Sequence, residues 1–241
     1  MAELRVGTSG WHYEHWRGVF YPPELRTAEW LSHYASHFDT VEINNSFYQL
    51  PSRETFQSWA REVPPGFLFA VKASRFITHM KKLKDPSGSL RLFMDNSAGL
   101  GRHRGPILFQ LPPRWKANPS RLSEFVAALP PGNRYAFEFR DPSWFCPQVY
   151  RILEEANCAL CAASSPSFPE VRRATADFAF LRFHGGRILY GSKYSRKELA
   201  EWAAYAVDLL DQGRDVYAYF NNDAFGYAVE DARLFRRLCR A

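Results

Sequence analysis

What this 241-residue sequence lacks narrows it first. No window approaches the roughly 20 consecutive apolar residues that a membrane span requires, and the opening residues Met1 to Val6 offer no apolar stretch of signal-peptide length. The expectation is a soluble, cytoplasmic protein with no membrane partner. Cysteine is scarce: four residues, at 146, 158, 161 and 239, are too few and too irregular for a secreted disulfide framework. Cys158 and Cys161 have CxxC spacing but no second pair or histidine nearby, and strand parity would send their sulfurs to opposite faces. Low-complexity tracts, internal repeats and any composition break that would mark a linker are missing too, so residues 1–241 read as one domain.

What is present suits a large core. The chain is 46% hydrophobic and 23% charged, and its 20 Phe, 12 Tyr and 7 Trp fall mostly within alternating runs, where they are core before they are anything else. A formal charge of +6 leans mildly toward anionic partners. The densest basic patch, Lys81-Lys82-Leu83-Lys84, reads as a solvated face.

Turn residues cut the chain into eight strand-like runs: Arg5 to Ser9, Thr40 to Asn44, Phe67 to Ala73, Pro106 to Leu111, Arg134 to Arg140, Cys158 to Ala162, Asp177 to His184 and Asp215 to Phe220. Helical patterns lie between most of them. One runs from Thr27 to about His37, one follows a Ser52 cap, and others span about Ser87 to Gly101, start at Ser120, run from Pro147 to Ala156 and from Gly226 to Cys239. Ser195 and Glu198 form a capping box ahead of Leu199, Trp202, Ala203 and Ala206 at helical spacing. A Ser/Pro-rich loop fills the gap after the sixth run. Eight strands alternating with helices in about 240 residues predict an α/β fold, a single parallel (β/α)8 TIM barrel, with a doubly wound open sheet as the alternative.

In a barrel the functional groups are inward-facing residues at the C-terminal ends of the strands. Helices cover the outer face, so the apolar parity points outward and the other parity points in. That rule turns Glu42 and Asn44, Lys72, Gln110, Glu138 and Arg140, Arg182 and His184, and Tyr219 and Asn221 into the barrel mouth. Six strands deliver polar groups to one end of an interior that branched apolar side chains normally fill, and unpaired they would be costly to bury.

The set suggests chemistry. Glu42 and Glu138 can divide acid and base work, with His184 as an auxiliary proton carrier. Lys72, Arg140 and Arg182 offer positive charge to an anionic, phosphate-bearing ligand. Asn44, Gln110, Tyr219 and Asn221 orient polar groups. Asp141, Asn222 and Asp223 lie just past strand ends, where turn roles compete with substrate contact or, for Asn222 and Asp223, with an oxygen-ligated divalent metal. No cofactor is identified, and one inward histidine disfavours a transition-metal site. Lys72 as a Schiff-base lysine is a further option that two nearby glutamates oppose. From another class, a nucleic-acid-binding protein without catalysis would stack bases on Trp11, Trp16, Tyr48 and Trp144.

Several stretches taken together resemble the DUF72, or YecE-like, family: Gly7-Thr8-Ser9-Gly10-Trp11, Val41-Glu42-Ile43-Asn44 with Ser46-Phe47-Tyr48, Lys72 to His79, Gln110-Leu111-Pro112-Pro113, Phe137-Glu138-Phe139-Arg140 with Ser143-Trp144, Arg182-Phe183-His184-Gly185, and Tyr219 to Asp223. Asn45 stands where the pattern more often has Ser. The resemblance runs from about Val6 to Ala228. It implies a TIM barrel and a candidate site but no reaction, because the family is named for its unknown function. Comparison of some members with the endonuclease IV barrel implies nucleic acid as a ligand, yet that enzyme's histidine-rich zinc cluster has no counterpart in an inward set with one histidine.

Overall fold

Short runs of β-branched and aromatic residues, each stopped by a polar or Pro/Gly turn, form eight parallel strands in the computed structural model, which describes residues 2–240. They are β1 (Leu4–Thr8), β2 (Thr40–Ile43), β3 (Leu68–Lys72), β4 (Arg104–Gln110), β5 (Tyr135–Glu138), β6 (Ala159–Ser164), β7 (Phe178–Phe183) and β8 (Asp215–Phe220). Hydrogen-bonded neighbours follow the order β1-β8-β7-β6-β5-β4-β3-β2. Helices α1 (Trp30–Ala35), α2 (Arg53–Glu62), α3 (Pro86–Ser97), α4 (Pro119–Ala127), α5 (Pro147–Glu155) and α6 (Arg196–Asp211) occupy every crossover except that from β6 to β7, which is irregular, and α7 (Tyr227–Leu238) follows β8.

The sheet closes between β1 and β2. At the C-terminal end Ser9 bridges Glu42, and the Gly10 N–H donates to Glu42 O at 2.8 Å. Lower in the seam the hydroxyl of Tyr34, on α1, accepts the Thr8 N–H at 2.9 Å and donates to Thr40 O at 3.1 Å, standing in for a ladder bond. Gly7 permits this approach, since a methyl group there would run into Thr40 O. The result is a nearly closed (β/α)8 barrel.

Alternation sorts the side chains into two bodies. Val6, Val41, Phe69, Phe109, Phe137, Leu181, Phe183 and Phe220 pack outward against the helices. Ala70, Leu108, Ala136, Ala159, Cys161, Phe178, Phe180, Tyr217 and Tyr219 fill the lumen as a separate apolar plug. Cys158 lies in the outer body and Cys161 in the lumen, on opposite faces as parity requires.

Boundaries shift where local chemistry overrides periodicity. Thr27 opens a 3-10 turn, and no side-chain cap precedes it or α1. Asn118 caps α4, accepting the Arg121 N–H at 2.9 Å, two residues before Ser120. Ser52 and Ser195 cap α2 and α6, the latter as a full capping box. Regular pairing of β5 ends at Glu138, so Arg140 projects from the turn beyond it. Among the described residues no helix is long and apolar enough to cross a membrane.

Candidate active site

Above the lumen plug, β2, β5 and β7 aim three charged side chains at one point. The Arg182 guanidinium donates through Nη2 to Glu42 Oε1 at 2.7 Å and through Nη1 to Glu138 Oε2. Glu138 Oε1 accepts Arg140 Nε at 2.7 Å. Glu42, Glu138 and Arg182 are fully buried. Burial alone would raise the Glu138 pKa, but Arg182 and then Arg140 outweigh it and hold the carboxyl well below the usual range. Burial opposes the Arg182 charge as well, and the two glutamates more than restore it. Two guanidinium groups, Arg182 and Arg140, thus face two carboxyl side chains, Glu42 and Glu138, in one layer.

His184 adjoins this layer as a neutral base. Burial, then Arg182, push its pKa down to about 4. Its Nδ1 lies 3.2 Å from the Asn221 amide nitrogen, and Nε2 is 3.6 Å from Glu138 Oε2, beyond hydrogen-bond length. Glu42 Oε2, Arg182 Nε, His184 Nε2 and Ser9 Oγ are all buried without a hydrogen-bond partner. Each such group costs about 1–3 kcal/mol, so the layer is electrostatically taut.

Lys72 stands apart from it. Its Nζ donates to Asn44 Oδ1 at 3.1 Å and sits 4.1 Å from the centre of the Phe47 ring, with no carboxylate among the described residues in ion-pairing range. The residue is 6% exposed. Burial, reinforced by Arg182 and resisted by Glu42, brings its pKa down to about 7. The Arg140 charge adds to the depression of the Lys72 pKa, and its guanidinium lies 4.5 Å over Phe168 with Nη2 3.4 Å from the Tyr190 hydroxyl. His79, in a π-helical turn after β3 (Phe76–Met80), meets Phe47 edge-on at 5.0 Å. Burial and the Lys72 charge depress it to about 4.

The other residues named from the sequence take varied places. Gln110 is buried beside Glu138, its register partner. Tyr219 bonds Thr40 Oγ1 at 2.7 Å, at the top of the lumen plug. Asp141 caps the turn after β5, accepting Ser143 N–H at 3.1 Å and pairing with Lys116, contacts that lower its pKa and leave it in the turn role. Asn222 donates to Ser192 O and Asp231 Oδ2, and the Asp223 side chain lies 3.5 Å from His15 Nε2. No three His, Cys, Asp or Glu side chains among the described residues are grouped to hold a metal ion.

The set of exposed stacking aromatics needs correction. Trp144 is fully buried, stacked on Phe139 with its indole N–H donated to Trp115 O; Trp16 is fully buried too, and Trp11 nearly so. Tyr48, 70% exposed, is the one that reaches solvent. These tryptophans stand in loops, where no periodicity tells in from out. His79, Tyr190 and Phe168 were missed for the same reason, although His79 closes the Lys72-to-His79 stretch.

Beside the ion layer lies a cavity of about 530 Å³, walled by the loops after β1 and β2 and by α1 and α2. Trp11, Tyr13, Tyr48 and Trp59 give it an aromatic lining, and Asn44, which bonds Lys72, joins it to the mouth.

Together these features define a TIM-barrel protein with a dry, charged mouth at the C-terminal ends of its strands. Residues 5–241 match the family described as "Protein of unknown function DUF72", and the chain belongs to that family. UPF0759 protein YunF of Bacillus subtilis (strain 168) is 27% identical, with 95% of this chain and 92% of the relative aligned. UPF0759 protein YecE of Escherichia coli (strain K12) is 29% identical over 48% of this chain and 43% of its own length. A DUF72 family protein from Thermotoga maritima superposes with a TM-score of 0.90 at 29% identity, covering 99% of this chain and 100% of that one. One from Enterococcus faecalis, 20% identical, shares the fold with a TM-score of 0.85 over 99% and 96%.

Proposed function

We propose that this barrel is an enzyme that performs acid/base or hydrolytic chemistry on a small, phosphate-bearing substrate held at the mouth. The observation that carries the reading is the Lys72 amine: desolvated, without a carboxylate partner, and set next to Arg140 at the end of the barrel where such enzymes work. Below its pKa of about 7 it is a cation suited to a phosphate; above it, a free base.

The geometry redistributes roles within the set. Arg182 commits Nη1 and Nη2 to two carboxylates and is inaccessible, so it supports the site from below, and Glu138 is its counter-ion. Glu42, with one carboxylate oxygen unpartnered, keeps the acid/base role. Lys72 and Arg140 contact the anion, Asn44 orients the amine, and neutral His184 relays a proton beside Glu138. Binding of nucleic acid without catalysis ranks second, because the indoles it would stack on are buried.

Calorimetry with inorganic phosphate tests the reading. A bound anion favours the ammonium form, so binding at pH 7.5 should take up a proton, visible as a dependence on buffer ionisation heat, and should weaken as pH rises through 7 and beyond. Lys72→Met should remove the uptake and cost about tenfold in affinity, roughly 1.4 kcal/mol. Phosphate binding that is indifferent to both pH and Lys72→Met sinks the proposal.

A further inference from the structure

We infer that the aromatic cavity beside the mouth is the subsite for a planar ring of the substrate, so that the ligand is an arene joined by a short link to its phosphate. The inference rests on the reading of Lys72 and Arg140 as the anion contact. A volume of about 530 Å³ suits a small organic group. Trp11, nearly buried, holds Trp59 edge to face at 5.2 Å and 89°, and the ring surface left to a ligand comes from half-buried Trp59 and Tyr13 and exposed Tyr48.

Two further features orient such a ligand. Asn44 uses its Oδ1 to accept from Lys72 and also lines the cavity, so ring and anion would sit on either side of one amide. Glu62 is the one formally charged side chain in the lining, and it repels an anion from the cavity while Lys72 and Arg140 attract it to the mouth. The partition is apolar ring outward of Asn44, phosphate inward. Tyr48, exposed at the rim, is placed to close over the ring.

The test compares phenyl phosphate, inorganic phosphate and indole by calorimetry on the full chain and on two variants. Ala28→Phe fills the cavity from an exposed wall position, and Tyr48→Ala removes the exposed rim, so neither change disturbs the core. Phenyl phosphate should bind the native chain at least tenfold more tightly than phosphate. Ala28→Phe should erase that gain, and Tyr48→Ala should reduce it severalfold. Equal affinities for the two anions, or a gain that survives Ala28→Phe, overturns the ring subsite and leaves the anion reading standing. Indole binding that Ala28→Phe abolishes, with no phosphate binding at all, overturns the anion reading and supports the ring subsite.

Discussion

The two ends of this barrel are built from the same ingredients and finished differently. At the N-terminal end Arg134 donates to Asp215 Oδ2 and to the Tyr217 hydroxyl, both at 2.7 Å, and lies 5.2 Å over Phe178. The other oxygen of Asp215 accepts the Glu3 N–H at 2.8 Å, and Arg5 pairs with Glu3. These groups are paired, with one buried oxygen of neighbouring Asp39 left without a partner, and the Arg134 and Asp215 side chains, 36% and 25% exposed, are screened by solvent. At the C-terminal end Arg182, Glu42 and Glu138 are dry, several of their polar atoms are unpartnered, and a desolvated lysine is left over. Ion pairing that serves only to close a barrel has no need of a surplus amine. The difference leaves the C-terminal end with an unspent charged group, which is what the proposed chemistry needs.

The largest effect should come from cutting the dry layer. Glu138→Gln withdraws the charge that faces both Arg182 and Arg140 and leaves two guanidinium groups poorly compensated. Breaking a buried pair in this way costs about 3–5 kcal/mol. Urea unfolding monitored by circular dichroism measures it, and a loss below about 1 kcal/mol would show that the layer behaves as a surface pair does.

Lys72→Met should act with the opposite sign. The unfolded ammonium keeps its proton up to about pH 10.4, whereas in the folded chain it is lost at about 7. Between those values the unfolded state binds more protons, so this group makes native stability rise with pH, by up to about 1.4 kcal/mol per pH unit. Replacement by an apolar side chain should flatten the rise between pH 7 and 9 and stabilise the chain at pH 6 by roughly 1–4 kcal/mol. Thermal melts across pH give the answer: a variant that melts lower at pH 6 would mean the amine is not strained by burial.

Much of this was legible in the sequence, and the reasons are specific. Period-two alternation put Glu42, Lys72, Glu138, Arg182 and His184 inward, and the barrel followed from eight such runs with short crossovers. Which charges neutralise one another was not legible, because Arg182 meets Glu42 through the stagger of strands 140 residues apart. Hence Arg182 read as an anion clamp, although both of its terminal nitrogens face carboxylates. The aromatic cavity was hidden for a related reason: its aromatic walls, Trp11 and Tyr13, Tyr48, and Trp59, come from two loops and α2 with no shared period. Trp144 illustrates the loop problem, since its burial depends on stacking against Phe139 across the turn that Asp141 caps.

The smallest effect sharpens the comparison most. Asp215→Asn preserves the shape of the N-terminal pair but leaves one acceptor oxygen where the carboxylate had two, so either Arg134 or the Glu3 N–H turns to the water that reaches both. An ion pair this exposed contributes about 0.2–1 kcal/mol, less in salt. Burial opposes ionisation of Asp215, and the Glu3 N–H and Arg134 outweigh it to lower the pKa, so its contribution is present at neutral pH and fades as acid protonates the carboxylate. The loss on Asp215→Asn should therefore be small at pH 7, shrink in 1 M salt and fade in acid below the ordinary aspartate range. The Glu138→Gln loss, protected from solvent, should hardly respond to salt. If the two losses matched in size and in salt response, the ends of the barrel would be electrostatically alike, and the distinction between a structural end and a chemical end would collapse.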